Sequence, residues 1–282
     1  MFFRGMRFEP PRPGMTARES GDMSSALQTT ATDRITYVVE AENNPPLTAS
    51  KVSVLLPVMN EVASLNQTIE TIDKENPDRD FEYLIILSRR SDPEATKNAE
   101  NLAFADPSRV GIVVQERPLL GGALMDGIKA STGERIIMMA SDLETDPHAV
   151  RELLDVSDHR PGWIVATTRW RGQDAGFEGY GSGKKWANKV FQDSVGRLFS
   201  TNLTDLTYGF RLYPRDAIKD HDWQTMNHGF LLESILRPMR QGWPVTEVPV
   251  KWRARQEGVS NNSWRFYASY FRMAVSIRFG AS

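Results

Sequence analysis

Carboxylates gather where one short apolar segment of the sequence ends. The segment at residues 136–140 is followed within a few residues by Asp142, Glu144 and Asp146. Hard divalent cations bind such oxygen clusters, and Mg²⁺ is commonly held by one or two carboxylates together with substrate phosphates. We therefore predict that Asp142 and Glu144 bind a metal ion. Asp146, which precedes Pro147, is interpreted as a helix N-cap.

Polar residues also follow the first apolar segment, residues 52–56. Asn60 and Glu61 come just after it, where the chain enters the next predicted helix. The alternative is a helix cap, since Asn60 is a good N-cap and Glu61 suits a first helical turn. A turn of small residues at 120–123 also leads into a helix, where backbone N–H groups could approach a phosphate or ribose.

Alternating apolar and helical segments must position these residues. The predicted strands are residues 52–56, 83–87, 111–114, 136–140 and 162–167, and the helices between them are residues 61–75, 94–105, 122–131 and 147–156. A Gly-rich loop at 172–183, helices at 184–200 and 229–241 and a strand at 245–252 complete the pattern. Such alternation predicts an α/β fold with a mostly parallel sheet flanked by helices, and ligands bind beyond the carboxyl ends of its strands.

Composition indicates a folded globular chain without thiol chemistry. The 282 residues are 40% hydrophobic and 25% charged, with a net charge of -2 and no cysteine. This charge gives no global attraction to nucleic acid, and the missing cysteines exclude disulfides and zinc-thiolate sites. We predict a poorly ordered leader at residues 1–49, a single α/β domain at 50–262 and a C-terminal amphipathic helix at 263–282.

Membrane contact is expected to be peripheral. The first residues lack the apolar core of a signal peptide, and no apolar run is long enough to span a bilayer. In residues 263–279, Arg265, Arg272 and Arg278 recur at intervals of seven and six residues among aromatic residues, which predicts an amphipathic helix with basic and apolar sides. This favours a helix in the headgroup plane, with an ordinary helix packed on the domain as the equal alternative.

The ordered set of motifs resembles glycosyltransferase family two, most closely the polyprenyl-phosphate and dolichol-phosphate mannosyltransferase type. The motifs are VSVLLPVMNEVASL, LLGGALMDGIKASTGERIIMMASDLETDP, VATTRW, DLTYGFRLYPRD and GWPVTEVPVKWRARQEGVS, in order between residues 52 and 260. The resemblance implies a GT-A fold, a nucleotide-diphosphate sugar donor such as GDP-mannose or a UDP-sugar, and Mg²⁺ or Mn²⁺. It also implies inverting transfer to a polyprenyl phosphate by a hexosyltransferase on the cytoplasmic face of a membrane.

The resemblance also implies roles for individual residues. Asp142, Arg169 and Arg255 fall on catalytic positions, and Asp142 with Glu144 on metal positions. The nucleotide-binding positions are Pro57, Met59, Asn60, Glu61, Ser88, Gly121, Gly122 and Ser141. The phosphate-binding positions are Lys185, Lys189 and Arg211, and for Arg211 a structural ion pair with Asp205 is an equal alternative.

The chain departs from the family pattern at three places. Ala140 stands where the first Asp of the DxD metal motif is expected, and Asn261 stands where the G-x-S-K turn has Lys. The acidic DDGS segment reads Ser88, Arg89, Arg90 and Ser91 here.

Two other functions stay open on this pattern. An enzyme with a saccharide or other acceptor would need a base, for which Asp205 or Glu233 is the candidate. A nucleotide-sugar-binding protein with impaired catalysis would account for Ala140 and the Ser88–Ser91 replacement. Nucleic acid is not an expected partner.

Overall fold

The computed structural model describes residues 50–171, 176–177, 182–252 and 266–280. All of them lie in one compact unit, which spans Pro45–Ser282. The leader predicted at residues 1–49 lies outside the described residues, so its lack of order stays a prediction.

A seven-stranded sheet forms the centre of the molecule. Its strands are β1 (Val52–Val58), β2 (Phe81–Leu87), β3 (Val110–Val114), β4 (Arg135–Met138), β5 (Ile164–Thr168), β7 (Arg211–Pro214) and β8 (Val245–Pro249). The strand order is β3-β2-β1-β4-β7-β5-β8, and only β7 runs antiparallel to its neighbours, β4 and β5. The predicted mostly parallel α/β sheet is confirmed.

Two features of the strands differ from the prediction. The sequence patterns predict no strand at β7, because it is only four residues long and begins with a charged residue, Arg211. The strand predicted at 245–252 is two strands. Pro249, which lacks an N–H donor, ends β8, and the two-residue β9 (Lys251–Trp252) pairs instead with β6 (Gly176–Phe177).

Helices cover both faces of the sheet. They are α1 (Ala63–Glu75), α2 (Pro93–Ala105), α3 (Leu119–Ala130), α4 (Ala149–His159), α5 (Ser182–Phe199), α6 (Phe230–Arg240) and α7 (Phe266–Phe279). Helices α1, α2 and α4 share one apolar cluster with the sheet, and α3, α5, α6 and α7 share the other. Successive residues of β1 alternate between the clusters, with Val54 and Leu56 in the first and Leu55 in the second.

The amino ends of β1, β2 and β4 are tied together by protein groups. The Glu82 carboxylate accepts hydrogen bonds from the hydroxyls of Ser53 (2.5 Å) and Thr132 (2.7 Å) and pairs with Lys51 (3.4 Å). The Ser53 hydroxyl in turn accepts from the Gly133 N–H (2.8 Å). Burial acts to raise the pKa of Glu82, but these hydrogen bonds hold it below its usual value.

A buried ion cluster lies at the same end of the sheet. Asp158, near the end of α4, accepts a hydrogen bond from Arg135 (2.7 Å) and pairs with Arg79. All three side chains are at most 10% exposed. We call these residues, together with Lys51, Ser53, Glu82, Thr132 and Gly133, the amino edge.

Candidate functional site

The chain leaving β1 forms a turn closed by Glu61. The Glu61 carboxylate accepts hydrogen bonds from the backbone N–H groups of Met59 (2.6 Å) and Asn60 (3.0 Å). Helix α1 begins only at Ala63, and its N-cap residue, Val62, makes no side-chain cap. The helix-cap alternative for Asn60 is therefore wrong, and Met59 and Asn60 are exposed beyond the strand.

The turn after β2 packs against the end of β1. The Ser91 hydroxyl accepts from the Ser88 N–H (2.9 Å) and donates to the Val58 carbonyl (2.7 Å). Between these serines, Arg89 and Arg90 are exposed. The turn therefore brings Ser88 beside Met59, as parallel strands require, and presents two arginines where the family has acids.

The loop after β4 carries the predicted metal ligands. Asp142 is buried, and its carboxylate accepts from the Glu144 N–H (3.1 Å). Leu143 between them has a left-handed backbone (φ 60°), which reverses the chain locally. The Ser141 hydroxyl lies 3.4 Å from the Pro57 carbonyl, which connects this loop to the end of β1.

A cavity of about 190 Å³ lies beside the same loop. Its lining residues are Gln67, Thr71, Leu143, Glu144, Asp146, Pro147, His148 and Lys251. Asp146 accepts from the His148 N–H (3.1 Å), but α4 begins at Ala149 and its N-cap residue is His148, so the N-cap predicted for Asp146 is wrong. Glu144 thus faces a small polar cavity against α1.

The two glycines predicted to approach a ligand pack against protein backbone instead. A Cβ atom on Gly121 would lie 2.4 Å from the Thr225 carbonyl oxygen, and one on Gly122 would lie 2.6 Å from Arg117. The Gly122 N–H donates to the Met226 carbonyl (3.2 Å). These contacts explain why glycine is needed here, and they do not depend on a nucleotide.

Arg169 follows β5 and is held by a buried carboxylate. Its guanidinium donates to both oxygens of Asp205 (2.7 and 2.9 Å) and lies 4.4 Å from the centre of the Tyr208 ring. The Asp205 side chain is 0% exposed. Tyr208 contacts the Thr145 hydroxyl (3.3 Å), so Arg169 is linked to the loop of Asp142. Burial raises the pKa of Tyr208.

A second, partly buried carboxylate supports this network from β8. Glu247 accepts from the N–H groups of Thr204 (2.7 Å) and Asp205 (2.9 Å). Burial raises the pKa of Glu247, and these hydrogen bonds oppose the rise. Sequence reasoning missed Tyr208 and Glu247. Tyr208 stands inside the motif DLTYGFR and Glu247 inside GWPVTEVPVKWRARQEGVS, so both lie in segments that carry the family resemblance, but nothing in the sequence brings the two segments together.

Arg211 lies in the core rather than at the ligand-facing edge. It is 0% exposed, donates to the Leu206 carbonyl (2.8 Å) and the Leu231 carbonyl, and contacts the Tyr213 hydroxyl (3.3 Å). The phosphate contact predicted for Arg211 is wrong in this arrangement, because β7 carries its side chain inward. The alternative pairing with Asp205 is also wrong, since Asp205 pairs with Arg169.

The remaining predicted cations lie on α5 or outside the described residues. Lys189 pairs with Asp193 one turn further along α5, and Lys185 is exposed near the start of the same helix. Arg255 and the turn at 258–260 lie outside the described residues. Their predicted roles stay predictions.

The donor set after β4 suits a hard cation that completes its coordination with substrate. Asp142 and Glu144 supply carboxylate oxygens, which are the donors that Mg²⁺ and Mn²⁺ accept. Across residues 50–171, 182–252 and 266–280, no group of three or more His, Asp or Glu side chains gathers as a metal site. One or two carboxylates with a diphosphate therefore fit better than an all-protein cage.

Comparison with known proteins identifies the family to which the chain is similar. The family model described as glycosyl transferase family 2 matches residues 53–222. Glycosyltransferase AglD of Haloferax volcanii is 28% identical over 211 residues, which are 73% of this chain and 33% of that protein. The undecaprenyl-phosphate 4-deoxy-4-formamido-L-arabinose transferase of Proteus mirabilis is 26% identical over 172 residues, 60% of this chain and 50% of that protein. The chain thus spans between a third and a half of the length of these curated relatives.

Solved structures share the fold. Crystal structures of glucosyl-3-phosphoglycerate synthase from Mycobacterium tuberculosis match with a TM-score of 0.60 and 19% identity. One of them, with Mn²⁺, UDP and phosphoglyceric acid, is matched over 83% of this chain and 80% of that one. Another contains Mg²⁺ and UDP and is matched over 83% and 81%. The fold is the GT-A fold that the sequence resemblance implied.

Proposed function

Because this chain belongs to glycosyl transferase family 2, we propose that it is a hexosyltransferase that moves a sugar from a nucleotide diphosphate to a polyprenyl phosphate. The observation that carries the proposal is the position of the Asp142 loop, which contacts the end of β1 through Ser141 and Pro57. A metal-side carboxylate and a nucleotide-side segment meet at the carboxyl ends of the strands, where ligands bind in such sheets.

The donor is proposed to lie over the ends of β1 and β2. Glu61 holds the backbone of Met59 and Asn60 in place, and the Ser88 turn packs against the same strand end. The nucleoside would contact this surface, with its diphosphate toward Asp142. Gly121 and Gly122 are assigned a structural role, because they pack against residues 225–226 and 117.

Asp142 and Glu144 would hold Mg²⁺ or Mn²⁺. When bound, such an ion offsets the negative charge that develops on the leaving nucleoside diphosphate. The protein keeps Asp142 in position through the Glu144 N–H and keeps water away by burying the side chain. Ala140 removes one carboxylate from this loop, so the substrate must supply more of the coordination.

The acceptor is proposed to be an anion already. A phosphate needs no general base, whereas a saccharide hydroxyl does. Asp205 and Glu233, the candidate bases, are buried and occupied: Asp205 by Arg169, and Glu233 by Arg237 (2.6 Å) and by the Thr225 N–H (2.8 Å). Their engagement supports a phosphate acceptor over a saccharide, and the Proteus relative is an undecaprenyl-phosphate transferase by name.

We propose that Arg169 is a positioning residue. Its side chain stays fixed and holds neighbouring groups of the site in place. Its two hydrogen bonds to Asp205 and its stacking on Tyr208 fix the guanidinium, and Tyr208 contacts the Asp142 loop through Thr145. Bidentate arginine–carboxylate pairs hold their geometry well. The pair therefore sets the loop of Asp142 against the segment that enters β7.

A polyprenyl acceptor places the enzyme at a membrane, and we propose peripheral contact on the cytoplasmic face. In the described parts of the chain, no helix combines the length and the apolar character needed to cross a bilayer.

The test is transfer of radiolabelled sugar from a panel of GDP- and UDP-sugars into organic-extractable polyprenyl phosphate, with and without Mn²⁺. We expect metal-dependent labelling from one donor, and a loss of about 10²-fold or more for Asp142→Ala. Asp146→Ala, in the same loop, is the matched control and is expected to keep most activity, because its carboxylate only accepts from the His148 N–H.

The outcome against the proposal is also defined. Nucleotide binding without labelling from any donor would favour the catalytically impaired binder that Ala140 suggests. Transfer to a soluble saccharide but not to the lipid would favour the other acceptor class.

A further inference from the structure

Helix α7 has two apolar faces, and only one of them is used for packing. Tyr270, Ala274 and Ile277 are buried against the domain. Phe271, Val275 and Phe279 recur every four residues and are exposed, Phe279 to 70%. Residues four apart lie on one side of a helix, so these three form a continuous apolar stripe that the domain does not cover.

The neighbouring helix also carries exposed apolar residues. Helix α5 packs beside α7, with the rings of Phe191 and Tyr270 6.4 Å apart and the Arg278 guanidinium donating to the Leu198 carbonyl (3.2 Å). On α5, Trp186 is 72% exposed and Val190 is 46% exposed. We call Trp186, Val190, Phe271, Val275 and Phe279 the apolar platform. Because its helices are fixed to the domain, it is a built surface.

Charge and residue type distinguish between possible occupants of the platform. Helix α7 carries Arg272 and Arg278 and contains no acidic residue. A second copy of the chain would bring two positive helices together, which disfavours self-association. Exposed aromatics beside arginines are instead the composition of a helix lying at the headgroup and acyl boundary of a bilayer.

We propose that the apolar platform docks on an anionic lipid bilayer. Phe271, Val275 and Phe279 insert below the headgroups, Trp186 anchors the start of α5, and Arg272 contacts lipid phosphates. Of the three arginines in the predicted basic face, only Arg272 is assigned to the lipid contact, because Arg278 donates to the Leu198 carbonyl and Arg265 lies outside the described residues. This rests on the proposed function, because a polyprenyl acceptor is a membrane component.

Vesicle cosedimentation of the full chain tests the platform without sugar donor or acceptor. Anionic vesicles made of phosphatidylglycerol mixed with phosphatidylcholine are expected to bind wild-type protein. Val275→Ser/Phe279→Ser is expected to lower partitioning roughly tenfold or more, since each exposed side chain loses its apolar burial. Arg272→Gln is expected to lower it about fivefold on anionic vesicles and not on pure phosphatidylcholine.

Phe104→Ser/Val114→Ser is the matched control. It removes the same side-chain types from α2 and β3, where Phe104 is 90% exposed, and it should bind vesicles like wild type. Transfer to detergent-solubilised acceptor should be unchanged in both double variants, so failure of docking and failure of the proposed activity give different results.

Two outcomes overturn the inference. In one, Val275→Ser/Phe279→Ser sediments with vesicles as wild type does, or wild type does not sediment at all. In the other, analytical ultracentrifugation shows a wild-type dimer that this variant converts to monomer, which would assign the platform to a second copy.

Discussion

The two ends of the central sheet use charged residues in opposite ways. At the amino edge, Glu82 and Asp158 are each bound by several protein donors or cations. At the carboxyl ends of β1 and β2, Arg89, Arg90 and Asn60 are exposed, and Met59 is 46% exposed. The carboxylates of the amino edge are satisfied by protein groups, whereas the opposite end presents polar groups to solvent.

The two ends of the same strands therefore contribute to different properties: the amino edge to stability and the opposite end to binding. Buried charges without partners are costly, so the groups at the amino edge must keep their partners for the domain to fold. Exposed groups at the other end contribute little to folding and can be arranged for binding. Arg169 and Asp205 are the exception, because they form a buried pair at the ligand-facing end.

The largest effect is expected at the amino edge. Asp158→Asn leaves the buried Arg79 and Arg135 without their carboxylate and should lower the free energy of unfolding by about 3–5 kcal/mol. Asp155→Asn is the control, since Asp155 is 54% exposed and 4.0 Å from Arg79. Urea denaturation followed by tryptophan fluorescence measures both. Equal denaturation midpoints for the two variants would show that the buried Asp158 cluster does not stabilise the domain.

The Arg169–Asp205 pair tests this comparison directly. It is buried like the amino edge, but it lies at the ligand-facing end of the sheet. Asp205→Asn should cost about 3 kcal/mol of unfolding free energy and should also lower transfer activity, since Arg169 and Tyr208 lose their anchor. Asp193→Asn, which breaks the exposed pair with Lys189, should change stability by no more than about 0.5 kcal/mol. Retained activity in a destabilised Asp205→Asn enzyme would limit the pair to a structural role.

A smaller effect is expected from the exposed arginines after β2. Arg89→Glu/Arg90→Glu places acidic groups beside the proposed nucleotide site and should weaken binding of nucleoside diphosphates about tenfold at low salt, less at high salt. Lys74→Glu/Lys129→Glu makes the same charge change at the ends of α1 and α3 near the amino edge. Calorimetric titration with GDP and UDP compares them, and equal losses would show only a general charge effect.

The smallest effect is expected in residues 215–226, which run beside α3 from one end of the sheet to the other. The Arg215 N–H donates to the Glu134 carbonyl (2.8 Å), and Met226 accepts from Gly122, so residues 215–226 reach from one end to the other. Within it, His221 contacts the Ala217 carbonyl (3.0 Å) and stacks on Trp223. Burial lowers the pKa of His221 from its ordinary value.

A lowered pKa means that the unfolded chain binds the proton first as pH falls. The contribution of neutral His221 to stability is therefore complete above pH about 6.5 and is lost as pH falls through its folded-state pKa. His221→Asn should show a shallower loss of stability between pH about 7.5 and 5.5 than wild type. His159→Asn, exposed at the end of α4, should follow wild type.

Much of the fold could be predicted because buried parallel strands are plain in sequence. The runs at 52–56 and 83–87 are apolar throughout and lie between helical segments, so their pairing follows from length and order. β7 could not be predicted, because four residues starting with arginine carry no strand pattern. Its place between β4 and β5 depends on contacts that are distant in sequence.

The site was predicted in part for the same reason. Asp142 and Glu61 could be identified because they follow strands directly, and strand ends are fixed by local pattern. Gly121 and Gly122 were assigned to a ligand because a glycine pair looks the same whether a phosphate or a backbone approaches it. The backbone that approaches is residues 225–226, about a hundred residues away. Arg211 was misplaced because its burial follows from the direction of β7.

The reversed direction of β7 allows the chain between β5 and β7 to vary. Because β7 runs antiparallel to β5, the chain that leaves β5 returns at the same end of the sheet. Its two ends are tied there by the hydroxyls of Thr168 and Thr204, 2.7 Å apart. Residues between them can therefore change without reordering the strands, as long as the segment keeps Phe191 and Val195, which pack in the core. Chimeras that exchange this segment with that of a relative would test whether it carries the acceptor preference proposed for this chain.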